Sequence, residues 1–153
     1  MEEAWRLARI PGLGIDLTGF IFKIVHCLLP TQDRIFRLGG TEGDNPGLCK
    51  LCSTEVETPE HAFFYCNHSR VNGLGLLGYV QAIVPGLTPE AALRLEMDIE
   101  LTEKEELAII TLLACGLKYI WEARLEKKTL YLFKIVITCL CINLLKCRVH
   151  GQG

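Results

Sequence analysis

Apolar positions run almost unbroken through Gly19-Phe20-Ile21-Phe22-Lys23-Ile24-Val25-His26-Cys27-Leu28-Leu29 and stop at Pro30. This stretch is far shorter than a bilayer span and reads as a buried helix. Thr31 is placed to cap a second short helix, Gln32 to Leu38, which Gly39-Gly40 would end. Further on, Thr88 and Pro89 open a helix that the pattern carries to about Met97. Thr102-Glu103-Lys104-Glu105 has the form of a capping box opening a longer helix. Within it Leu107, Ile110, Ala114, Leu117 and Trp121 recur at three- and four-residue spacing, which lays them along one face. Leu130 to Cys147 is apolar nearly all round, with one polar stripe at Lys127, Tyr131, Lys134, Thr138 and Cys141. The β-branched residues Ile135, Val136, Ile137 and Thr138 keep a strand reading of that segment open.

Between these helical regions the pattern changes. Thr41-Glu42-Gly43-Asp44-Asn45-Pro46-Gly47 consists of loop-forming residues and delivers the chain into Leu48-Cys49-Lys50-Leu51-Cys52. Thr58 as N-cap with Pro59 at the first helical position then predicts one short helix ending near Asn67. Three regions result: a loose lead over 1–17, a helical pair with a cysteine-containing unit over 18–70, and a helical region over 71–153. The expected fold is mainly α, with helices arranged around a small metal-stabilised loop-helix unit.

Composition narrows the classes. A chain of 153 residues, half of them hydrophobic, has ample material for one core and is excluded from global disorder. A formal net charge of −2 argues against a polyanion binder acting through overall charge. The charge is unevenly spread: residues 90–106 hold seven acids against two bases, and residues 118–148 hold seven bases against two acids. Two solvated faces that pair with each other account for this, and a basic C-terminal surface is the sharper alternative. The N-terminus has neither a basic n-region nor a long apolar h-region, so the expected location is cytoplasmic or nuclear, where cysteines are thiols or metal ligands. Eight cysteines are too few for a disulfide scaffold of this size but enough for a metal site.

The pattern Cys49-x2-Cys52-x8-His61-x4-Cys66 carries the chemistry. Two cysteines separated by two residues can reach one ion across a tight turn, and eight further residues suffice to cross the site and start a helix. Three thiolates and a neutral imidazole satisfy tetrahedral Zn²⁺ with no open position, so the predicted site is structural, with a net charge of about −1. His61 and Cys66 lie five positions apart, about 140° on an ideal helix, so the last turn must tighten or unwind for both to face the ion. His68 is the rival ligand to His61. Burial of Cys49 and Cys52 as plain core cysteines is disfavoured by the preceding Pro-Gly loop. Phe63, Phe64 and Tyr65 are expected to pack the unit onto the first two helices in preference to stacking on exposed bases.

Three segments together, Leu29-Pro30-Thr31-Gln32-Asp33-Arg34, Leu48-Cys49-Lys50-Leu51-Cys52 and Glu57-Thr58-Pro59-Glu60-His61-Ala62-Phe63-Phe64-Tyr65-Cys66, resemble the zinc-binding region near the C-terminus of LINE-type (non-LTR) retrotransposon reverse transcriptases. Ile120-Trp121-Glu122-Ala123-Arg124 resembles a recurrent element of the same region. The clear match covers about residues 18–68, with Ser53 standing where the family usually has glycine and Asn67 where it often has proline. The resemblance implies that Cys49, Cys52, His61 and Cys66 hold zinc and that the region helps to hold template RNA or target DNA. No polymerase Asp-Asp signature is present, so the expected protein is not an enzyme and corresponds to a C-terminal piece of a longer ancestor. Arg34, Arg37, Lys50 and Arg70 are the candidate phosphate contacts. The alternative expectation is a zinc-stabilised protein-interaction remnant whose apolar helices meet a protein partner or parent polyprotein. Membrane attachment through Leu130–Leu145 is disfavoured because Lys134 interrupts the run.

Overall fold

The computed structural model describes residues 13–40 and 46–126. The segment Leu130–Leu145, with its helix-or-strand alternatives, lies outside the described residues, as do residues 1–12 of the N-terminal lead. The fold is mainly α: helices α1 (Ile15–Val25), α2 (Gln32–Arg37), α3 (Arg70–Gln81), α4 (Pro89–Arg94) and α5 (Glu103–Glu126), with a π-helical turn over His61–Tyr65 between α2 and α3. The one pairing of extended backbone among the described residues is an isolated antiparallel bridge, Leu48 to Val56.

Local chemistry explains most boundaries. Thr31 caps α2 by accepting from the Arg34 backbone N–H at 3.4 Å, and Thr88 caps α4 by accepting from Ala91 at 3.1 Å. The capping box at α5 closes in both directions: Glu105 N–H donates to Thr102 Oγ1 at 3.2 Å, and Thr102 N–H donates to Glu105 Oε2 at 3.0 Å. The bounds of α1 and the end of α4 differ from the sequence expectation. The first helix starts at Ile15 and stops at Val25, because Cys27 turns into the left-handed region at φ 55° and only Leu29 of the following residues returns to the core. The helix from Pro89 ends at Arg94 and does not continue to Met97, because Leu95 adopts φ 55° and drops its side chain into the core.

The core is a single cluster that draws on both halves of the chain, from Phe20, Ile21 and Ile24 of α1 to Ile120 and Trp121 of α5. Helix α5 is its axis: α1, α3 and the π-turn all pack on it. Its burial is accordingly wider than one stripe. Ile109, Leu112, Leu113 and Ile120 are buried beside the expected Ile110, Ala114, Leu117 and Trp121, whereas Leu107, expected on the same face, is exposed in the first turns. Helix α3 approaches the π-turn so closely that a Cβ on Gly73 would stand 1.8 Å from the Phe63 carbonyl oxygen. Only glycine permits that contact, and it sets the distance between α3 and the segment that carries His61 and Cys66. Among the described residues no helix is long and apolar enough to cross a membrane.

Candidate metal centre

The loop that opens the site is built on tight backbone pairing. Cys49 N–H donates to Glu55 O at 2.8 Å and Glu57 N–H to Gly47 O at 2.9 Å, which folds residues 47–57 back on themselves. Gly47, at φ 81°, lies against the start of α2, where a Cβ would meet Asp33 Cα at 2.8 Å. Between the cysteines the chain turns sharply, with Ser53 N–H donating to Cys49 O at 2.8 Å and Ser53 itself left-handed at φ 58°. The position where the resembled family usually carries glycine is thus one whose backbone favours glycine. The turn aims the backbone amides of Cys52 and Leu51 at the Cys49 sulfur, and those of Thr54 and Glu55 at the Cys52 sulfur.

The second pair of donors comes from the π-turn. His61 N–H donates to Thr58 Oγ1 at 3.2 Å and Ala62 N–H to Thr58 O at 2.9 Å, so the segment starts as a capped helix. Cys66 N–H then donates to His61 O at 2.8 Å, a bond that spans five residues. The demand made by the five-residue spacing is met by unwinding: the wider turn brings residues five apart towards one face. Cys66 leaves in an extended conformation at ψ 134°, so the helix ends at Tyr65, before the expected Asn67.

Cys49, Cys52, His61 and Cys66 therefore converge, with one donor atom from each lying within 4.8 Å of every other. Cys49 Sγ is 3.9 Å from Cys66 Sγ, and Cys52 Sγ is 3.4 Å from His61 Nε2. An ion about 2.3 Å from sulfur and about 2.0–2.1 Å from nitrogen, at tetrahedral angles, sets edges of about 3.8 Å between sulfurs and about 3.5 Å between sulfur and nitrogen. The two distances match those edges, and the donor set fits a borderline-soft divalent ion. Glu55 Oε2 stands 3.3 Å from His61 Nδ1, a carboxylate behind the ring nitrogen that does not face the cluster. His68, the rival donor, is exposed and outside the cluster.

Cys49 is only 1% exposed and Cys66 is fully buried, which corrects the expectation that the Pro-Gly loop would leave the first cysteine in solvent. The cover comes from α5. Arg124, itself buried, lays Nη2 3.2 Å from Cys49 Sγ and 2.6 Å from Glu57 Oε2, and donates through Nη1 to Ser69 Oγ at 3.3 Å. Read from charge pattern alone, Arg124 belonged to a solvated basic face; in the fold it is an interior cation. Burial works against its charge, but the sulfurs of Cys66 and Cys49 and the Glu57 carboxylate outweigh this and hold the guanidinium more firmly protonated than usual. Burial pushes the Cys49 thiol up, against the opposing pull of the amides of Cys52 and Leu51 and of Arg124. Desolvation also works against a Cys52 thiolate, but the Thr54 hydroxyl, the amides of Thr54 and Glu55, and His61 together outweigh it and bring the thiol down to about 6.

The aromatic run between His61 and Cys66 packs differently from the expectation. Phe63 and Phe64 are fully buried, but they seat the π-turn on α3 and α5, with the Phe63 ring 6.0 Å from that of Trp121. Tyr65 points outward and is 50% exposed. The four basic residues near the site divide into two pairs. Arg34 donates to the Cys27 carbonyl at 3.1 Å and Arg37 pairs with Asp33 at 2.7 Å, both on α2, while Lys50 in the cysteine turn and Arg70 at the start of α3 are exposed. Glu57 and Arg124, to which spacing assigned no role, are site residues that the sequence reading missed, as are Glu55 and Ser69. The first two lay within the segments that carried the family resemblance. Compared with family models, curated proteins and solved structures, the chain matches none.

Proposed function

We propose that the Cys3His cluster holds Zn²⁺ as a structural ion and that the chain is a non-catalytic zinc-binding module derived from a retrotransposon reverse transcriptase, acting in the cytoplasm or nucleus on RNA or DNA. The convergence of Cys49, Cys52, His61 and Cys66 within 4.8 Å of one another, with two of the donor distances at tetrahedral edge lengths, is the observation that carries the reading. Four donors fill the coordination shell of zinc, which supports a structural ion over a catalytic one. The ion would cross-link the cysteine turn to the π-turn, and the binding energy it supplies there is folding energy.

Exposed Lys50 and Arg70 flank the centre and support contact with phosphates, a term that weakens as salt rises. The test is fluorescence anisotropy of the zinc-loaded chain with single-stranded RNA, hairpin RNA and duplex DNA over a salt series. Binding that falls with salt and drops several-fold in a Lys50→Glu/Arg70→Glu variant of unchanged zinc content is expected. A folded, zinc-loaded chain that binds none of the three at low salt overturns the nucleic-acid reading. In that case the alternative stands, a zinc-stabilised protein-interaction remnant. It is favoured by the outward face of α3, where Val71 is 69% exposed beside Leu74 and Tyr79.

A further inference from the structure

Two charged side chains are buried against the donor cluster, Arg124 at 8% exposure and Glu57 at 6%. A buried ion pair pays heavily in lost hydration, so its mere presence is weak evidence of a stabilising role. Its connections are more telling. Arg124 reaches a sulfur of the cluster, the Glu57 carboxylate and the Ser69 hydroxyl at once. Glu57 Oε1 in turn accepts from the Gln32 backbone N–H at 3.1 Å, at the start of α2, and Ser69 Oγ donates to the Ala62 carbonyl within the helical segment that carries His61. One guanidinium from the last turn of α5 thus touches the cysteine turn directly and reaches α2 through Glu57 and the π-turn through Ser69, by two hydrogen bonds in each case.

The charges fit this arrangement. A divalent ion with three thiolates and one imidazole carries about −1. Arg124 supplies the cation beside it, and Glu57, behind the guanidinium, fixes the direction in which its N–H groups point. Nη2 faces both Glu57 Oε2 and Cys49 Sγ, so a charge-assisted N–H···S bond to the thiolate that metal binding would create at Cys49 is already oriented.

We infer that Arg124 is a positioning residue of the metal centre: held by Glu57, it donates to the Cys49 thiolate and couples ion binding to the docking of α5 on the cysteine turn. This rests on the reading of the cluster as a metal centre. Partners of this kind, behind the direct ligands, are commonly worth about 10–100-fold in metal affinity. A sulfur that accepts a hydrogen bond also gives up charge to the metal less readily, so sulfur-to-metal charge transfer needs more energy.

Co²⁺ binding to the full chain, followed by absorption and by competition with a chromophoric chelator, tests the inference. Four variants serve: Arg124→Met, which keeps the stem and removes the donors; Arg124→Lys, which keeps the charge but cannot serve three acceptors in that fork; Glu57→Gln, which removes the anchoring charge; and Trp121→Leu, which loosens α5 without touching a sulfur. Arg124→Met is expected to lose about 10–100-fold in Co²⁺ affinity and to move the charge-transfer band to lower energy. Arg124→Lys and Glu57→Gln fall between it and the wild type, and Trp121→Leu lowers the melting temperature with the band in place. An unmoved band in Arg124→Met, with affinity lost only in proportion to stability as in Trp121→Leu, overturns the inference and leaves the metal centre standing. If Arg124→Met does not fold, Arg124→Lys decides by the same criterion. A wild-type chain that takes up no Co²⁺ and no Zn²⁺ overturns the inference and the metal centre together.

Discussion

Ser53, Cys52 and Cys49 show how much the backbone decides at the scale of single residues. Ser53 occupies the left-handed region at φ 58°, where any side chain is strained. Ser53→Gly should therefore raise stability by about 0.5–1 kcal/mol, the relief of strain exceeding the added chain entropy; chemical denaturation of the metal-loaded chain measures it. The two cysteines of the turn differ in their thiols although they share one loop. Cys52, brought down to about 6, is largely thiolate at neutral pH, whereas Cys49 stays protonated behind Arg124 and α5. In the metal-free chain, iodoacetamide should label Cys52 ahead of Cys49, and Cys52 labelling should fall away as pH drops below about 6. Metal loading should protect both, and peptide mapping reads the order. The clustering of Cys49, Cys52, His61 and Cys66 was legible at this scale because spacing alone constrains which donors can come together. Glu57 and Arg124 were not, because charged residues are seldom buried and only their place within the segments that carry the family resemblance sets these two apart. Only the contact between residues far apart in sequence gives them a place.

The π-turn is the element on which the site depends. A regular helix would point His61 and Cys66 well away from each other, and the five-residue bond from Cys66 N–H to His61 O corrects this. The sequence exposed the conflict without saying which way it resolves, since the outcome depends on the packing of Phe63 and Phe64 against α3 and α5. Gly73→Ala tests that packing. The added methyl group collides with the Phe63 carbonyl, so α3 must retreat, at a cost of about 1–3 kcal/mol and with weakened metal retention. Thermal melts with and without metal separate the two effects. Caps, by contrast, were readable residue by residue: Thr31, Thr58, Thr88 and the Thr102–Glu105 box all make the bonds their positions predict. Thr88→Ala should cost about 1 kcal/mol by chemical denaturation, with metal binding unchanged. Helix ends set by left-handed non-glycine residues, Cys27 and Leu95, carry no such mark, and there the expected boundaries slipped.

Among the described residues one core joins α1 to α5, and the Cys3His cluster sits where the long-range connections meet: α2 through Glu57, α5 through Arg124, and α3 through Ser69. A mainly helical fold was legible from periodicity and caps. The central position of α5 was not, because its apolar residues surround it more widely than a single stripe and its amphipathic signal is correspondingly weak. An ion that cross-links the cysteine turn to the π-turn would be part of the fold, so removing it should do more than empty a surface loop. Elemental mass spectrometry of the purified chain beside a Cys52→Ser variant, paired with circular dichroism before and after chelation, tests this most directly. One zinc per chain, lost in the variant and upon chelation together with helical signal and cooperative melting, is the predicted result. A chain that carries no metal as purified, takes up none when zinc is supplied, and melts cooperatively at the same temperature with or without chelator would contradict it.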